Sequence, residues 1–204
     1  MRTSYPRKIP VPLTTLDPNT ALIVVDLQKG IANLNLLHPI ADIIAHTRAL
    51  LDIFRANNLT VVLVNVAGGA PGRTEQNPRA NLTFADDWTD LLPQLNQQPT
   101  DILVTKRSWG AFATTDLEHQ LKARGVTQVV VTGIATSVGV EATARQAYEQ
   151  GFNVTLATDA MTDMREEPHH YSISNVFPRI GETSSTQEII ALLEKSLQER
   201  NAAS

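Results

Sequence analysis

Short apolar runs alternate along the chain with longer segments in which apolar residues recur every three or four positions. The runs are typical of strands buried on both faces of a parallel sheet, and the periodic segments predict amphipathic helices that cover such a sheet. The predicted strands span residues 20–25, 60–66, 101–105, 129–131, 152–157 and, for a short sixth, 180–183. The predicted helices span residues 39–57, 115–124, about 138–151, 166–176 and 186–197, with one short helix around 88–95.

This order of elements predicts an α/β fold, a Rossmann-like three-layer α/β/α sandwich around a mainly parallel sheet of five or six strands. The 204 residues fit one domain, because no internal repeat or linker divides them. Residues 1–19 contain four prolines and no periodicity, which predicts an extended N-terminal arm packed on the surface. The segment 67–98 is rich in Gly, Pro, Asn and Asp, and connections of that length are usually functional loops or lids.

Composition argues against several classes of function. The formal net charge of −4 gives no support to nucleic acid or an anionic membrane as a partner. No apolar run approaches the roughly 20 residues that a membrane span needs, and the N-terminus lacks the apolar core of a secretory signal. Cysteine is absent, which removes disulfides, thiolate metal sites and thiol nucleophiles, and which fits a cytoplasmic protein.

Three predicted strands end at features that can take part in catalysis or ligand binding. Asp26 ends the first strand, Lys106 follows the third, and a turn between Gly133 and Gly139 follows the fourth. The carboxyl ends of parallel strands meet at the edge where such sheets bind ligands. A nearby ammonium favours an ionised carboxylate whereas burial favours the neutral acid, and this balance can prepare Asp26 for proton transfer. The same residues also fit a buried ion pair with a purely structural role.

The glycine-bracketed turn has two interpretations. Its backbone amides, with the partial positive charge of a helix N-terminus, suit a developing oxyanion or a bound carboxylate. An ordinary connection between a strand and a helix, with a glycine at each end, explains the pattern equally well.

Three motifs resemble those of the isochorismatase-like hydrolases, over nearly the whole chain from about residue 20 to 197. They are ALIVVDLQKG around Asp26, ILVTKRSWGAF around Lys106, and VVVTGIATSVGVEATARQAYEQGFNVTLATDAMTD. In the thiol members, such as nicotinamidases, the triad is Asp, Lys and Cys, so the resemblance implies Asp26 and Lys106 and puts the missing Cys at Gly139. Isochorismatases proper also carry glycine there. They hydrolyse a vinyl ether, with the Asp protonating the enolpyruvyl methylene carbon before water attacks.

The resemblance therefore implies a hydrolase that acts on a small carboxylate or enol-ether-type substrate by general-acid catalysis from Asp26, without a thiol nucleophile. The second motif departs from the isochorismatase pattern, because its arginine is displaced and its tyrosine is replaced by Trp109. The resemblance consequently implies the class of reaction more strongly than the identity of the substrate. A non-enzymatic alternative is a pseudoenzyme that has lost its cysteine and binds a small ligand or a partner.

The resemblance further implies a cis peptide bond between Ile134 and Ala135 and a homo-oligomer, a dimer or larger. Arg73 in the long loop is a candidate partner for a substrate carboxylate, because a guanidinium pairs with it in bidentate fashion; a solvated loop arginine is the alternative. No cofactor is expected. The remaining candidate substrate contacts are Leu27, Gln28, Trp109, Phe112, Ala135 and Ser137.

No metal site is predicted. The site in nicotinamidases needs an Asp-x-His spacing with a further His, and none of the five histidines of this chain stands in that pattern. His169 and His170, behind Pro168, are expected to lie at a solvated helix start.

A second enzyme hypothesis uses Ser137 as a nucleophile. The sequence from Ala135 to Gly139 is a relaxed form of the nucleophile elbow, and Asp159 and His169 follow in the order of the α/β-hydrolase triad. The first glycine of that motif is alanine here, which weakens the match.

Overall fold

Six parallel strands form one sheet in the computed structural model, which describes residues 13–75 and 85–202. The strands are β1 Thr20–Val25, β2 Val61–Val66, β3 Ile102–Lys106, β4 Gln128–Ile134, β5 Asn153–Thr162 and β6 Glu182–Ser184. Their order across the sheet is β3-β2-β1-β4-β5-β6, and every pairing is parallel. β1 and β4 lie at the centre, and every residue of both strands is buried, which explains why most of their residues are apolar.

The helices connect the strands and cover both faces of the sheet. They are α1 Lys29–Ala32, α2 Ile40–Ala56, α3 Leu117–Ala123, α4 Glu141–Glu149, α5 Glu166–Tyr171 and α6 Thr186–Ala202. A π-helical turn at 136–140 leads into α4, another at 172–176 follows α5, and short 3₁₀ turns lie at 93–95 and 177–179.

Two hydrophobic clusters lie on opposite faces of the sheet. On one face, Leu22 and Val24 of β1 pack with residues of α2 and α6, including Phe54 and Leu193. On the other face, neighbouring strand residues such as Ile23 pack with α3 and α4. Because side chains alternate between the faces along a strand, one apolar strand supplies both layers. The predicted three-layer α/β/α sandwich with a six-stranded parallel sheet is confirmed.

The observed elements differ from the predicted ones mainly at their ends. β5 runs to Thr162, beyond the predicted end at 157, because it continues past an irregularity in its pairing with β4 near residues 131–133. The predicted helix 166–176 divides into α5 and a π-helical turn, and the predicted helix near 88–95 is a single 3₁₀ turn at 93–95. α1 has only four residues, too few to show a period.

Two predicted features fall partly outside the described residues. These are the extended arm 1–19, of which residues 1–12 lie outside, and the long segment 67–98, of which residues 76–84 lie outside. Within the described part of the arm, Leu13 and Leu16 are buried against the α2 face of the sheet. Among the helices of the described ranges, none is long and apolar enough to cross a membrane.

Candidate active site

Asp26 lies directly after the central strand β1, at the carboxyl edge of the sheet. Its φ is +52°, a conformation that non-glycine residues seldom adopt and that is concentrated at functional sites. Its N–H donates to Val64 O, and its side chain is buried, with 7% exposed. Oδ2 accepts a hydrogen bond of 2.7 Å from Lys106 Nζ, whereas Oδ1 has no partner among the described residues. Oδ1 is also almost inaccessible to solvent, whereas Oδ2 faces Gly139.

Lys106 reaches Asp26 from two strands away. It is the last residue of β3, and β2 separates β3 from β1, so the ammonium spans a strand-to-strand distance of roughly 10 Å. Nζ donates to Asp26 Oδ2 at 2.7 Å, to Trp109 O at 2.8 Å and to Ser108 O at 3.3 Å. An ammonium has three N–H donors. All three donors of Lys106 are thus used inside the protein.

Burial changes the acidity of Asp26. Removal from water raises the pKa of Asp26 to about 6, because desolvation of the carboxylate outweighs the charge and the hydrogen bond of Lys106, which lower the pKa. A carboxyl group with a pKa of about 6 can both give and take a proton at neutral pH. The pair of Asp26 and Lys106 is therefore suited to proton transfer.

The turn after β4 brings Gly139 against Asp26. β4 ends at Ile134, the peptide bond between Ile134 and Ala135 is cis, and the π-helical turn at 136–140 follows. A Cβ atom at Gly139 would lie 3.1 Å from Asp26 Oδ2 and 3.1 Å from Ile134 O. Any side chain at position 139 would therefore point towards the carboxylate of Asp26.

Three backbone amides of this turn already have partners. Val138 N–H and Val140 N–H both donate to Ala135 O, and Ser137 N–H donates to Asp163 Oδ2 at 2.8 Å. These amides are not available for an oxyanion or a bound carboxylate. If the turn binds an anion, the hydrogen bonds must therefore come from donors other than these three amides.

A cavity of about 440 Å³ opens at this edge of the sheet. Asp26, Lys106 and Gly139 line it together, so the three ends of β1, β3 and β4 meet in one space. The volume lies within the range of roughly 300–1,000 Å³ that is usual for small-molecule sites. Most of the other described lining is apolar and includes Ile31, Leu34, Val66, Trp88, Val138 and Met164.

Two of the predicted wall residues lie elsewhere. Trp109 and Ala135 line the cavity, but Leu27 and Phe112 belong to the two hydrophobic clusters and are not among its described lining. Leu27 is fully buried on the α2 side, in the same cluster as Leu22 and Val24. Phe112 packs on the other face with Phe152, with 6.0 Å between ring centroids.

Gln28, a predicted substrate contact, binds the protein instead. Its side chain is fully buried: Nε2 donates to Val66 O at 3.1 Å and to Trp88 O at 3.0 Å, and Oε1 accepts from Val66 N at 2.7 Å. This amide holds the segment of Trp88 against the end of β2. Gln28 therefore shapes the cavity wall without lining it.

Arg73 and Ser137 also lie apart from this cavity. Arg73 is exposed and is not among its described lining, and Ser137 lines a separate groove next to α4 and α5. Arg73 as a carboxylate partner stays a prediction.

Asp159 and His169, the other residues of the proposed serine triad, do not form a triad with Ser137. Asp159 accepts hydrogen bonds from Thr186 N and Oγ1, both at 2.8 Å, at the start of α6. His169 Nδ1 lies 2.9 Å from Thr136 Oγ1. Among the described residues, neither group is bonded to Ser137, so the arrangement of a serine hydrolase is absent there.

His169 differs from its prediction, because it is buried rather than solvated, with 3% exposed. Its ring lies 4.9 Å from that of His38, centroid to centroid, and burial lowers the pKa of His169, with a further decrease from the neighbouring His38. His170 is exposed, as predicted. Within the described ranges, no group of three or more His, Cys, Asp and Glu residues is arranged to hold a metal ion.

Sequence reasoning missed much of the apolar lining. Ile31 and Leu34 lie in and after α1, where no period marks their role. Gly68 and Gly69, however, follow β2 at the same edge as Asp26. The positional argument used for Asp26 would have identified these two glycines.

Comparison with known proteins identifies the family of this chain. The model of the isochorismatase domain matches residues 20–188. The uncharacterized isochorismatase family protein YwoC of Bacillus subtilis (strain 168) is 38% identical over 177 residues, which cover 84% of this chain and 92% of that protein. Nicotinamidase 3 of Arabidopsis thaliana is 30% identical over 170 residues, covering 78% of this chain and 83% of that enzyme.

A solved structure gives the same result. An isochorismatase family protein from Burkholderia thailandensis superimposes with a TM-score of 0.83 and 37% identity, covering 88% of this chain and 98% of that one. The shared domain, the shared fold and the extent of the match all agree. This chain therefore belongs to the isochorismatase family of hydrolases.

Proposed function

We propose that this protein hydrolyses an enol-ether-type substrate, with Asp26 as the general acid and no covalent nucleophile. One observation carries the proposal: a buried carboxyl group with a pKa of about 6 lies against a glycine in a cavity without a thiol. The glycine stands where thiol members of the family carry their cysteine. An acid mechanism needs only the carboxyl group and space for water.

The reaction begins with the neutral form of Asp26. Its carboxyl proton passes to the terminal carbon of the enol ether, which becomes a methyl group, and the positive charge is shared between the former vinyl carbon and the ether oxygen. Water adds to that carbon and returns a proton to the carboxylate. The resulting hemiketal collapses to a ketone and an alcohol. One enol ether and one water are consumed, and Asp26 ends as the neutral acid with which it began.

Lys106 is assigned a positioning and electrostatic role. Its three donors are committed to Asp26 Oδ2 and to the carbonyls of Trp109 and Ser108, so it has no hydrogen bond left for a substrate. Its charge limits the rise in the pKa of Asp26 that burial causes. Its hydrogen bond to Oδ2 also fixes the orientation of the carboxyl group.

The described lining offers no alternative nucleophile. Its one hydroxyl is that of Ser108, which donates to Gly110 O at 3.0 Å. The chain contains no cysteine, so the covalent thiol route of amide hydrolysis lacks its nucleophile. The name of the nicotinamidase relative supports a hydrolase, and the missing thiol argues against that relative's substrate.

To test the proposal, the hydrolysis of 2-phenoxypropene, a simple enol ether, is measured by NMR in D₂O. Protonation at carbon by Asp26 predicts phenol and acetone with one deuterium in a methyl group, and no product above background from Asp26→Asn. Nicotinamide, tested in parallel, is expected to remain intact. If isochorismate, 2-phenoxypropene and related enol ethers all remain intact, the acid mechanism is wrong and the pseudoenzyme alternative is favoured.

The family resemblance also supports a homo-oligomer in the cytoplasm. Size-exclusion chromatography with light scattering at micromolar concentration tests the assembly. A monomer alone would contradict it.

A further inference from the structure

The cavity contains one polar region within an apolar lining. The polar region is the pair of Asp26 and Lys106, with Ser108 beside it. Apolar side chains from several separate segments form the rest of the described wall, namely Ile31, Leu34, Val66, Trp88, Val138 and Met164. Such a wall favours a ligand whose apolar surface it can remove from water.

Lys106 is the one cation in the described lining of the cavity. Lys106 has committed its three donors, as described above. Arg107, the next residue, donates to Ala67 O at 3.1 Å and is not part of the described lining. Arg73 is exposed and also absent from that lining. While Asp26 is ionised, a ligand carboxylate beside it would thus lose water and gain no hydrogen bond from a cation of the described lining.

Large apolar side chains are exposed where they line this cavity. Leu34 is 46% exposed, Trp109 is 60% exposed and Met164 is 43% exposed. Exposed apolar residues that lie together mark sites of binding rather than random surface. These three residues provide apolar surface that a ligand can cover.

We propose that the cavity selects a neutral ligand with an apolar ring-sized body, and that the substrate is accordingly an uncharged enol ether rather than an enolpyruvyl carboxylate. The reaction in this statement rests on the proposed function, but the binding preference does not. An uncompensated ionised group is costly to bury, whereas an aromatic or alicyclic ring loses nothing polar. The volume of about 440 Å³ suits a body of this size.

Two inert ligands test the binding preference alone. Isopropyl phenyl ether and 2-phenoxypropionate share the phenoxy body, and they differ in that a methyl group of the first is a carboxylate in the second. Neither has a vinyl ether, so neither can be turned over by the proposed reaction. The chain has two tryptophans, Trp88 and Trp109, and both line the cavity, so quenching of intrinsic fluorescence reports on this site.

At pH 8 we expect the ether to bind at least about tenfold more tightly than the carboxylate, because only the carboxylate must lose its hydration. Leu34→Ser should weaken ether binding severalfold. Leu103→Ser is the matched control, since Leu103 is 49% exposed, against 46% for Leu34, and is not part of the described lining. This control should leave ether binding unchanged.

Equal or tighter binding of 2-phenoxypropionate would overturn the inference. So would equal effects of Leu34→Ser and Leu103→Ser, or no saturable quenching by the ether. Ether binding without turnover of isochorismate, 2-phenoxypropene or any related enol ether would leave the binding preference standing and contradict the proposed function. Turnover of 2-phenoxyacrylate at a higher kcat/KM than 2-phenoxypropene, each corrected for its uncatalysed rate, would overturn the substrate assignment while supporting the acid mechanism.

Discussion

Two concave regions lie on either side of the turn after β4, and they differ in chemistry. The cavity of about 440 Å³ holds one buried ion pair, Asp26 with Lys106, whose side chains are 7% and 2% exposed. The larger polar groove, of about 760 Å³, contains Glu141 and Arg145, whose paired side chains are 18% and 49% exposed. Its other charged residues are Arg165, Glu167 and Arg179.

This contrast shows that readiness for proton transfer depends on the burial of charged groups more than on the size of a concave region or its number of charges. Water screens the pair in the groove, and an exposed pair four residues apart on a helix contributes only about 0.3–0.5 kcal/mol. Desolvation in the cavity raises the pKa of Asp26 to about 6. The smaller region is therefore the one prepared for proton transfer.

Among matched substitutions in the two regions, replacement of Asp26 should cause the largest difference in kcat. Asp26→Asn keeps the shape of the side chain but removes the proton donor, so kcat for an enol ether should fall by roughly three orders of magnitude or more. Glu167→Gln, in the polar groove, is the matched control and should change kcat less than about twofold. Steady-state kinetics of both variants, with circular dichroism to verify folding, measure this. A near-native rate for Asp26→Asn would end the acid mechanism.

The pH profile of the wild-type protein should show the next largest effect. The neutral acid is the active form and the pKa of Asp26 is about 6, so kcat/KM should be level below that pH and fall about tenfold per unit above it. Between pH 5 and pH 8 the decrease should approach a hundredfold. A profile that rises over this interval would show that the carboxylate acts as a base.

Removal of the lysine charge should have a smaller effect on rate and a distinct effect on pH dependence. Lys106→Met removes a charge that lowers the pKa of Asp26, so the inflection of the pH profile should move above 6. We expect kcat to fall by roughly tenfold to a hundredfold, since Lys106 positions the acid and does not transfer the proton. Arg165→Met in the polar groove is the control, and an inflection shifted equally in both variants would contradict the role of Lys106.

The convergence of Asp26 and Lys106 could be predicted because it follows from strand order. Continuous apolar runs indicated parallel strands, and parallel strands present their carboxyl ends on one edge. The alternation of helix and strand was enough to bring β1, β3 and β4 to that edge. The residue types at their ends then indicated acid–base chemistry.

The lining of the cavity could not be predicted in the same way. Leu34 and Met164 lie in irregular segments, where no periodicity shows which way a side chain points. Leu27 and Phe112, two of the predicted substrate contacts, are apolar and lie close in sequence to Asp26 and Lys106. Nearness in sequence does not determine direction, and both side chains lie in the core. The structural role of Gln28 depends on hydrogen bonds to Val66 and Trp88, which the sequence does not show.

The smallest expected effect concerns Gly139, in the turn between the two regions. The backbone of Gly139 does not have the positive φ that requires glycine, and a Cβ there would lie 3.1 Å from Asp26 Oδ2, Ile134 O and Val25 Cγ1. Small shifts can relieve these contacts, so Gly139→Cys should fold, with a free energy of unfolding within about 1 kcal/mol of wild type. Thermal unfolding measures this, with Gly139→Ala as the control for the Cβ alone.

The thiol of Gly139→Cys should nevertheless not increase turnover of an enol ether. Beside Lys106 it would have a lowered pKa and be a competent nucleophile, but it would occupy the space that water or substrate needs next to Asp26. We expect kcat/KM for the enol ether to fall severalfold, further than in Gly139→Ala, with little gain in nicotinamide hydrolysis. Strong amidase activity in Gly139→Cys and none in Gly139→Ala would instead identify the glycine as a vestige of lost thiol chemistry.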